Sequence, residues 1–491
     1  TTNGCLRAAS WSRRLGVGRF LAPSRSGWSA LSASSSLVVF FRPNTSRVYA
    51  AHSRRPVRRP RVGRVSDTST TDILSADAVD ALRARVHDLM PQVRVDLEAL
   101  ARIPSVSLDA FDQAQVEASA EATAALLEAE GLTVEIVREG GRPAVIAHID
   151  GPEGAPTVML YAHHDVQPPG DDTLWDSPPF EPTERDGRLY GRGAADDKAG
   201  IMAHLAALRA HSGKLPVGVT VFVEGEEEVG SDSLPTILER HGEKLRADAI
   251  VLADSTNWAI GEPALTTTLR GMIRVVVTVT TLDHGIHSGM FGGPVPDAIT
   301  ALVRLLATMH DDTGNVAVAG LKEGVAADLD YDEARLRAES GLLDGVDLIG
   351  SGSILSRIWT KPSITTIGID APTVATSSNT LVPTASAKIS MRLAPDEFDL
   401  DGFEALKKHL LDHAPWGARV EVHLDDRGNG FAAHAQGPVY DQARAAFADA
   451  WGVQPFDIGV GGSIPFVAAF AEKFPQAAIL VTGVEDPDAR A

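Results

Sequence analysis

Four short segments between residues 163 and 254 collect acidic and imidazole side chains: His163-His164-Asp165, Asp196-Asp197, Glu226-Glu227-Glu228 and Asp254. His287 follows further on. Imidazole and carboxylate are hard or borderline ligands that suit zinc or manganese, and a carboxylate can bridge two such ions. A pair of ions held that way turns water into a nucleophile and steadies both oxygens of a tetrahedral intermediate. The chemistry on offer is hydrolysis, provided the intervening elements bring the segments together.

Each segment also has a plainer explanation. His163 and Asp165 form H-x-D, in which alternation along an extended chain points both side chains to one side. A ligating imidazole needs its second nitrogen held, and a neighbouring carboxylate does that; an ordinary polar loop is the alternative. Asp196-Asp197 precedes a helical pattern, so helix capping competes with metal binding, and one carboxylate can do each. The glycines at Gly191 and Gly193 are no dinucleotide fingerprint, because they lack a preceding strand and the full spacing. Glu226-Glu227-Glu228 reads either as a solvated acidic run or as a site where mutual repulsion calls for a cation or a raised pKa, suiting one ligand beside one general base. Asp254 alone is weak evidence.

The elements around these segments give an α/β pattern. Ser75 is placed to cap a helix with Val79, Leu82, Val86 and Leu89 on one face, and Pro91 to begin a second helix reaching Leu100. A further helix spans about 113–130, and strand-like runs cover 132–138 and 143–149. Val158-Met159-Leu160-Tyr161 is an apolar strand ending at His163, which puts the ligand candidates at a strand's C-terminal edge, where open α/β sheets bind ligands. A helix from Lys198 to His211 follows the aspartates, strand 217–223 leads to the glutamates, and run 249–253 leads to Asp254. Acid thus recurs at strand ends. From about 269 the pattern changes, with a β-branched run Ile273–Thr281, a helix 298–309 and strands near 364–369 and 386–393. These define an α/β fold in four parts: a basic leader at 1–66, a catalytic domain at 67–268, an inserted α/β domain at 269–425, and the second part of the catalytic domain at 426–491, with a helix at 439–450 and a strand at 477–482.

Bulk properties narrow the classes. The 491 residues are 44% hydrophobic and 22% charged, with a net charge of −20, which argues against a nucleic-acid surface. No apolar run reaches membrane-spanning length. Residues 1–66 hold 13 arginines and no acid, leaving 32 basic against 65 acidic residues in the rest. That segment is expected to be sequence lying ahead of the native start, in preference to a targeting segment or a disordered tail. It also contains the sole cysteine, Cys5, so the remaining chain has no thiol ligand or disulfide, in keeping with a cytoplasmic protein.

Longer motifs join these residues: Tyr161-Ala-His-His-Asp-Val-Gln-Pro168, Trp175 with Pro179-Phe180, and Leu189-Tyr-Gly-Arg-Gly-Ala-Ala-Asp-Asp-Lys198. Gly225-Glu-Glu-Glu-Val-Gly-Ser231, Leu269-Arg-Gly271, His287-Ser-Gly289 and Gly461-Gly-Ser-Ile-Pro465 follow in order. From about residue 75 to 491 the chain resembles the M20 metallopeptidase family, in its dipeptidase-like branch related to carnosine dipeptidases. The resemblance implies a catalytic α/β domain interrupted by a smaller α/β lid and dimerisation domain. It implies two divalent ions, Zn or Mn: one on His163, Asp254 and bridging Asp196, the other on Asp196, Glu228 and a C-terminal histidine. Glu227 would be the general base and Asp165 would orient His163. His287 would reach across a homodimer interface to the oxyanion. Arg392 would clamp the substrate carboxylate, with Thr380 and Ser463 adding hydrogen bonds and His434 a looser substrate contact. The family's last metal histidine is expected just beyond Gly483–Ala491, so the sequence as it stands is expected to lack that ligand.

The implied reaction is hydrolysis of the amide bond in a dipeptide with a free C-terminal carboxylate. Removal of an acyl or carbamoyl group from an N-substituted amino acid uses the same chemistry, and no residue separates the two. A catalytically silent metal- or peptide-binding protein is the third possibility.

Overall fold

The computed structural model of the protein describes residues 76–462, 464–487 and 489. The leader 1–66, the expected cap at Ser75 and the substrate candidate Ser463 lie outside the described residues.

The helix Ala76–Ala101 packs along the helix Lys198–His211. It runs unbroken through Pro91, where two helices are expected from the sequence. Proline removes one main-chain bond, but buried Val79, Leu82, Val86, Val93, Leu97 and Leu100 recur at helical spacing on both sides of it. One continuous apolar stripe holds the axis together despite the lost bond.

The first sheet has nine strands. In chain order they are β1 (Thr133–Val137), β2 (Ala144–Ile149), β3 (Thr157–His163), a separate hairpin of β4 (Thr183–Arg185) and β5 (Arg188–Tyr190), then β6 (Gly218–Glu224), β7 (Ala249–Leu252) and β8 (Ala264–Leu269). The chain then leaves for a four-stranded antiparallel sheet. It contains β9 (Gly271–Thr280), β11 (Ser363–Asp370), β13 (Thr384–Leu393) and β14 (Arg419–Gly428) in the order β11-β13-β9-β14. The short pair β10 (Ile286–His287) and β12 (Thr380–Leu381) lies beside it. On returning, β15 (Phe431–Ala432), β16 (Phe456–Val460) and β17 (Ala478–Thr482) complete the first sheet, whose order is β1-β2-β6-β3-β7-β17-β8-β15 with β16 on β8.

The central strands β6, β3, β7 and β17 are parallel neighbours, and β6 is buried throughout. Such strands read as continuous apolar runs because both faces are covered. One face packs under the helices Ala76–Ala101, Ala114–Ala129 and Lys198–His211. On the other, Tyr161, Phe222, Phe466 and Phe470 form an aromatic layer, with Tyr161 stacked on Phe466 at 3.5 Å. The smaller sheet alternates instead. Ile273, Val275, Val277 and Val279 face helices Ala298–Ala307 and Asp399–Asp412, while their neighbours face outward.

Two crossings join the sheets. Outbound Leu269-Arg270-Gly271 lies against returning Gly428-Asn429-Gly430; a Cβ on Gly430 would sit 2.6 Å from the Pro395 carbonyl and 2.9 Å from the Leu269 carbonyl, so the crossing needs glycine there. Residues 321–361, within the stretch between β9 and β11, turn back onto the first sheet. There Trp359, Leu355 and Tyr331 pack with Trp258, Ala264 and Ile458, and the Arg335 guanidinium covers the Trp258 ring at 4.2 Å. Among the described residues no helix is long and apolar enough to cross a membrane.

Candidate metal centre

Three adjacent parallel strands, β6-β3-β7, end side by side and deliver the acidic segments. β3 ends on His163, β6 runs into Glu226-Glu227-Glu228, and β7 runs into Asp254. Asp196-Asp197, joined by a cis peptide bond, arrives from the turn before the helix Lys198–His211. Convergence at the carboxyl ends of parallel strands is the expected place for a site in an open α/β sheet.

Buried His163 is the centre of this arrangement. Its Nε2 lies 3.0 Å from Asp196 Oδ1 and 3.9 Å from Asp254 Oδ2. Its Nδ1 faces the Asp165 carbonyl at 3.1 Å and the Asp165 carboxylate at 3.4 Å, which fixes the ring with Nε2 toward the acids. Two donor sets share it, His163-Asp196-Glu228 and His163-Asp197-Asp254, each with ligand atoms within 4.8 Å of one another. The sequence gives one of the two aspartates to a metal and the other to capping or orienting; Asp197 makes no side-chain cap bond. Its Oδ2 instead accepts the His163 amide at 3.1 Å, and its Oδ1 has no hydrogen-bond partner among the described residues.

Asp165, fully buried, accepts the main-chain amides of Glu227 at 3.2 Å and Glu228 at 3.1 Å. One carboxylate therefore sets the imidazole and the glutamate loop together. The three glutamates separate in space. Glu226 turns away and accepts the amides of Arg142 at 2.9 Å and Ser233 at 2.6 Å. Glu228 lies in the donor set and is held by Gln167, whose side-chain amide donates at 2.6 Å. Glu227 lies within electrostatic reach of His163, Asp254 and Glu228. The acidic triplet thus holds one structural member, where sequence offers no way to tell it apart.

Electrostatics supply the test of a metal. Burial, then the charge of Asp196, pushes Glu228 up to about 7. Burial also pushes Asp254 up to about 6, with His163 opposing and Asp196 adding to the shift. Glu227 and Asp197 are raised well above the carboxylate range, burial being the main cause in each. Burial disfavours a charged His163, but hydrogen bonds to Asp165 and Asp196 outweigh it and raise its pKa. Several carboxylates around one imidazole repel one another unless cations sit among them, and the donor set of imidazole and carboxylate oxygen fits zinc or manganese. The chain thus carries two closely spaced donor clusters for a pair of divalent ions.

The remaining candidates lie elsewhere. His287 and Thr380 are exposed and paired in register across β10 and β12, a juxtaposition that 93 residues of separation conceals. Arg392 is half-buried on β13, opposite Ser363 and Met272. His434 is exposed on the loop after β15 and belongs to neither donor set. Glu485 is one acid the sequence reading passes over. Burial and then the charges of Asp196 and Asp254 push it up to about 8, so it lies within electrostatic reach of the centre.

Fold and site together define a two-domain α/β hydrolase with a dinuclear carboxylate–histidine centre. The model of peptidase family M20/M25/M40 matches residues 159–490. Cysteinylglycine-S-conjugate dipeptidase of Corynebacterium striatum is 35% identical over 381 residues, covering 76% of this chain and 84% of that protein. Beta-Ala-His dipeptidase of Homo sapiens is 30% identical over 69% of this chain and 70% of that one. Among solved structures, human carnosine dipeptidase 1 superposes with a TM-score of 0.69 at 25% identity, covering 83% of this chain and 91% of that chain. The dipeptidase Dug1p of Saccharomyces cerevisiae shares the fold, with a TM-score of 0.70 over 82% of this chain and 91% of that chain at 22% identity. The protein belongs to peptidase family M20/M25/M40, in its dipeptidase-like branch, and is a metal-dependent enzyme.

Proposed function

We propose that the protein hydrolyses the amide bond of dipeptides with a free C-terminal carboxylate, with two ions of zinc or manganese held by His163, Asp196, Glu228 and Asp254. The observation that carries this is the pair of donor sets sharing His163 at the ends of three adjacent strands, in a chain whose relatives include dipeptidases over most of their length. When bound, such ions supply Lewis acidity and a water of lowered pKa.

The chain's own residues do the rest. Glu227 takes the proton of the attacking water and returns it to the leaving amine, as a carboxylate whose proton affinity is raised by burial can. Asp165 keeps His163 turned and holds the main chain of Glu227 and Glu228, so base and ligand move as one unit. Arg392 receives the substrate carboxylate with a planar fork, Thr380 and Ser463 add hydrogen bonds, and His434 is assigned to the same pocket. His287 donates to the oxyanion. We assign the protein as a cytoplasmic homodimer joined through the inserted domain, with His287 serving the partner's centre, and with neither nucleic acid nor membrane as partner.

The test is a panel of dipeptides against N-acetyl and N-carbamoyl amino acids, with metal-loaded protein. Dipeptide turnover that disappears on chelation and in Glu227→Gln is expected. Turnover of the N-substituted amino acids alone would replace the substrate class, and none of either would sink the hydrolytic assignment.

A further inference from the structure

Arg270 stands where the outbound chain leaves the first sheet, between the last residue of β8 and the first of β9. Its side chain is buried, at 8% exposure, yet every hydrogen-bond acceptor that the described residues give it is neutral. Nε donates to the Gly461 carbonyl at 3.0 Å. Nη1 donates to Ser363 Oγ at 3.0 Å and shares its hydrogens with the carbonyls of Lys361 at 3.3 Å and Arg357 at 3.5 Å.

Those acceptors come from three places. Gly461 directly follows β16 in the first sheet. Arg357 and Lys361 end the segment that turns back from the inserted sequence. Ser363 begins β11 of the second sheet and stands in register with Arg392 on β13. One guanidinium therefore ties the chain just after β16 to the strand pair of Arg392. Gly461 is seated directly on it: a Cβ there would lie 3.0 Å from Arg270 Nη2 and 3.0 Å from the Ile358 carbonyl.

A buried cation without a carboxylate partner is expensive to keep. Burial and the like charge of Arg392 push the Arg270 pKa down to about 10. What arginine offers in return is a rigid fork of five donors that can serve several carbonyls at fixed angles, which no other side chain provides.

We propose that Arg270 is a positioning residue for the substrate: it fixes the span between Gly461 at the end of β16 and the Ser363/Arg392 strand pair, and so sets the fit of the substrate carboxylate. This rests on the reading that Arg392 and Ser463 receive that carboxylate.

The experiment measures kcat and KM of the metal-loaded full chain on L-alanyl-L-alanine and on its C-terminal amide. The unmutated protein should favour the free acid in kcat/KM. Arg270→Gln should raise KM for the acid by about tenfold or more while kcat changes by less than about threefold, because a misplaced anchor costs binding before chemistry. KM for the amide should stay within about twofold, and Arg270→Lys should restore part of the acid preference. Ser363→Ala removes one acceptor and should raise KM for the acid by about two- to threefold. Arg270→Gln protein that binds metal but keeps its acid-over-amide ratio overturns the proposal, as does an equal loss on both substrates, which marks a purely structural role. If Arg270→Gln does not fold, Arg270→Lys and Ser363→Ala decide, and an unchanged ratio in both overturns it. An unmutated enzyme without acid preference also overturns it, by removing the carboxylate reading, and is seen before any variant is made.

Discussion

Glu226, Glu227 and Glu228 are neighbours in sequence with three different surroundings, so three adjacent substitutions should give three different defects. Glu226 is buried and accepts two amides, from Arg142 and Ser233. A hydrogen bond to a charged acceptor is worth about 1.5–3 kcal/mol, and Glu226→Ala strands both donors, for a loss of about 3–6 kcal/mol and a fall in Tm on the order of 10 °C. Glu227→Gln keeps shape and removes the proton acceptor. It should lower kcat by about 10²–10⁴ with metal content and Tm unchanged. Glu228→Gln takes a donor from the set with His163 and Asp196, and should weaken metal binding by about tenfold or more. Thermal melts, metal titration against a competing chelator and kcat on a dipeptide distinguish the three. The reasoning is refuted by a Glu226→Ala protein melting within about 2 °C of the parent, or by a Glu227→Gln protein that loses metal as Glu228→Gln does.

Other expectations concern the surroundings of the centre. Asp165→Asn loses the charge that holds His163 and the amides of Glu227 and Glu228; metal affinity should fall by about 10–100-fold, and affinity within threefold of the parent in a chelator competition would argue against the role. Chelation should abolish activity and lower Tm, since a ligand at a hundred times its Kd stabilises by about 2.7 kcal/mol; a melt unmoved by chelation and by re-addition of zinc or manganese contradicts this. His204 is buried, donates Nε2–H to the Tyr161 carbonyl at 2.8 Å, and is pushed down to about 4 by burial. Its pKa falls on folding, so its stabilisation is complete above the unfolded value of 6.5 and is lost as pH falls toward 4. That window amounts to about 3 kcal/mol, and Tm should therefore drop more steeply below pH 6.5 in the parent than in His204→Gln. Parallel Tm–pH curves for the two proteins would rule His204 out as the source.

Much of the core site could be read from order and type alone. Apolar runs that end at 163, 224 and 252 and lead into His163-His164-Asp165, Glu226-Glu227-Glu228 and Asp254 announce buried strands whose carboxyl ends carry the candidate ligands, because strands buried on both faces must be continuously apolar. The helix Lys198–His211 and the change of pattern near 269 were equally legible, since a period of 3.6 and a β-branched run are local properties. Pro91 misleads for a related reason: its local preference is to start a helix, whereas what overrides it is burial of the apolar stripe against the helix Lys198–His211, a contact that forms only in the folded chain.

Other features belong to the tertiary structure. That β6, β3 and β7 are adjacent, and in that order, comes from sheet pairing, which no single strand encodes. The division of Glu226 from its neighbours depends on where the amides of Arg142 and Ser233 fall, 84 and seven residues away. Asp197 makes no cap bond because its Oδ2 accepts the amide of His163, 34 residues away. His287 meets Thr380, and Arg270 meets Gly461 and Ser363, only when the chain crosses between two sheets and back. The sequence by itself determined which groups are able to do chemistry and which elements carry them, since residue type and periodicity are local; the tertiary structure alone decided which groups touch, since contact between distant segments is set by the packing of the whole chain.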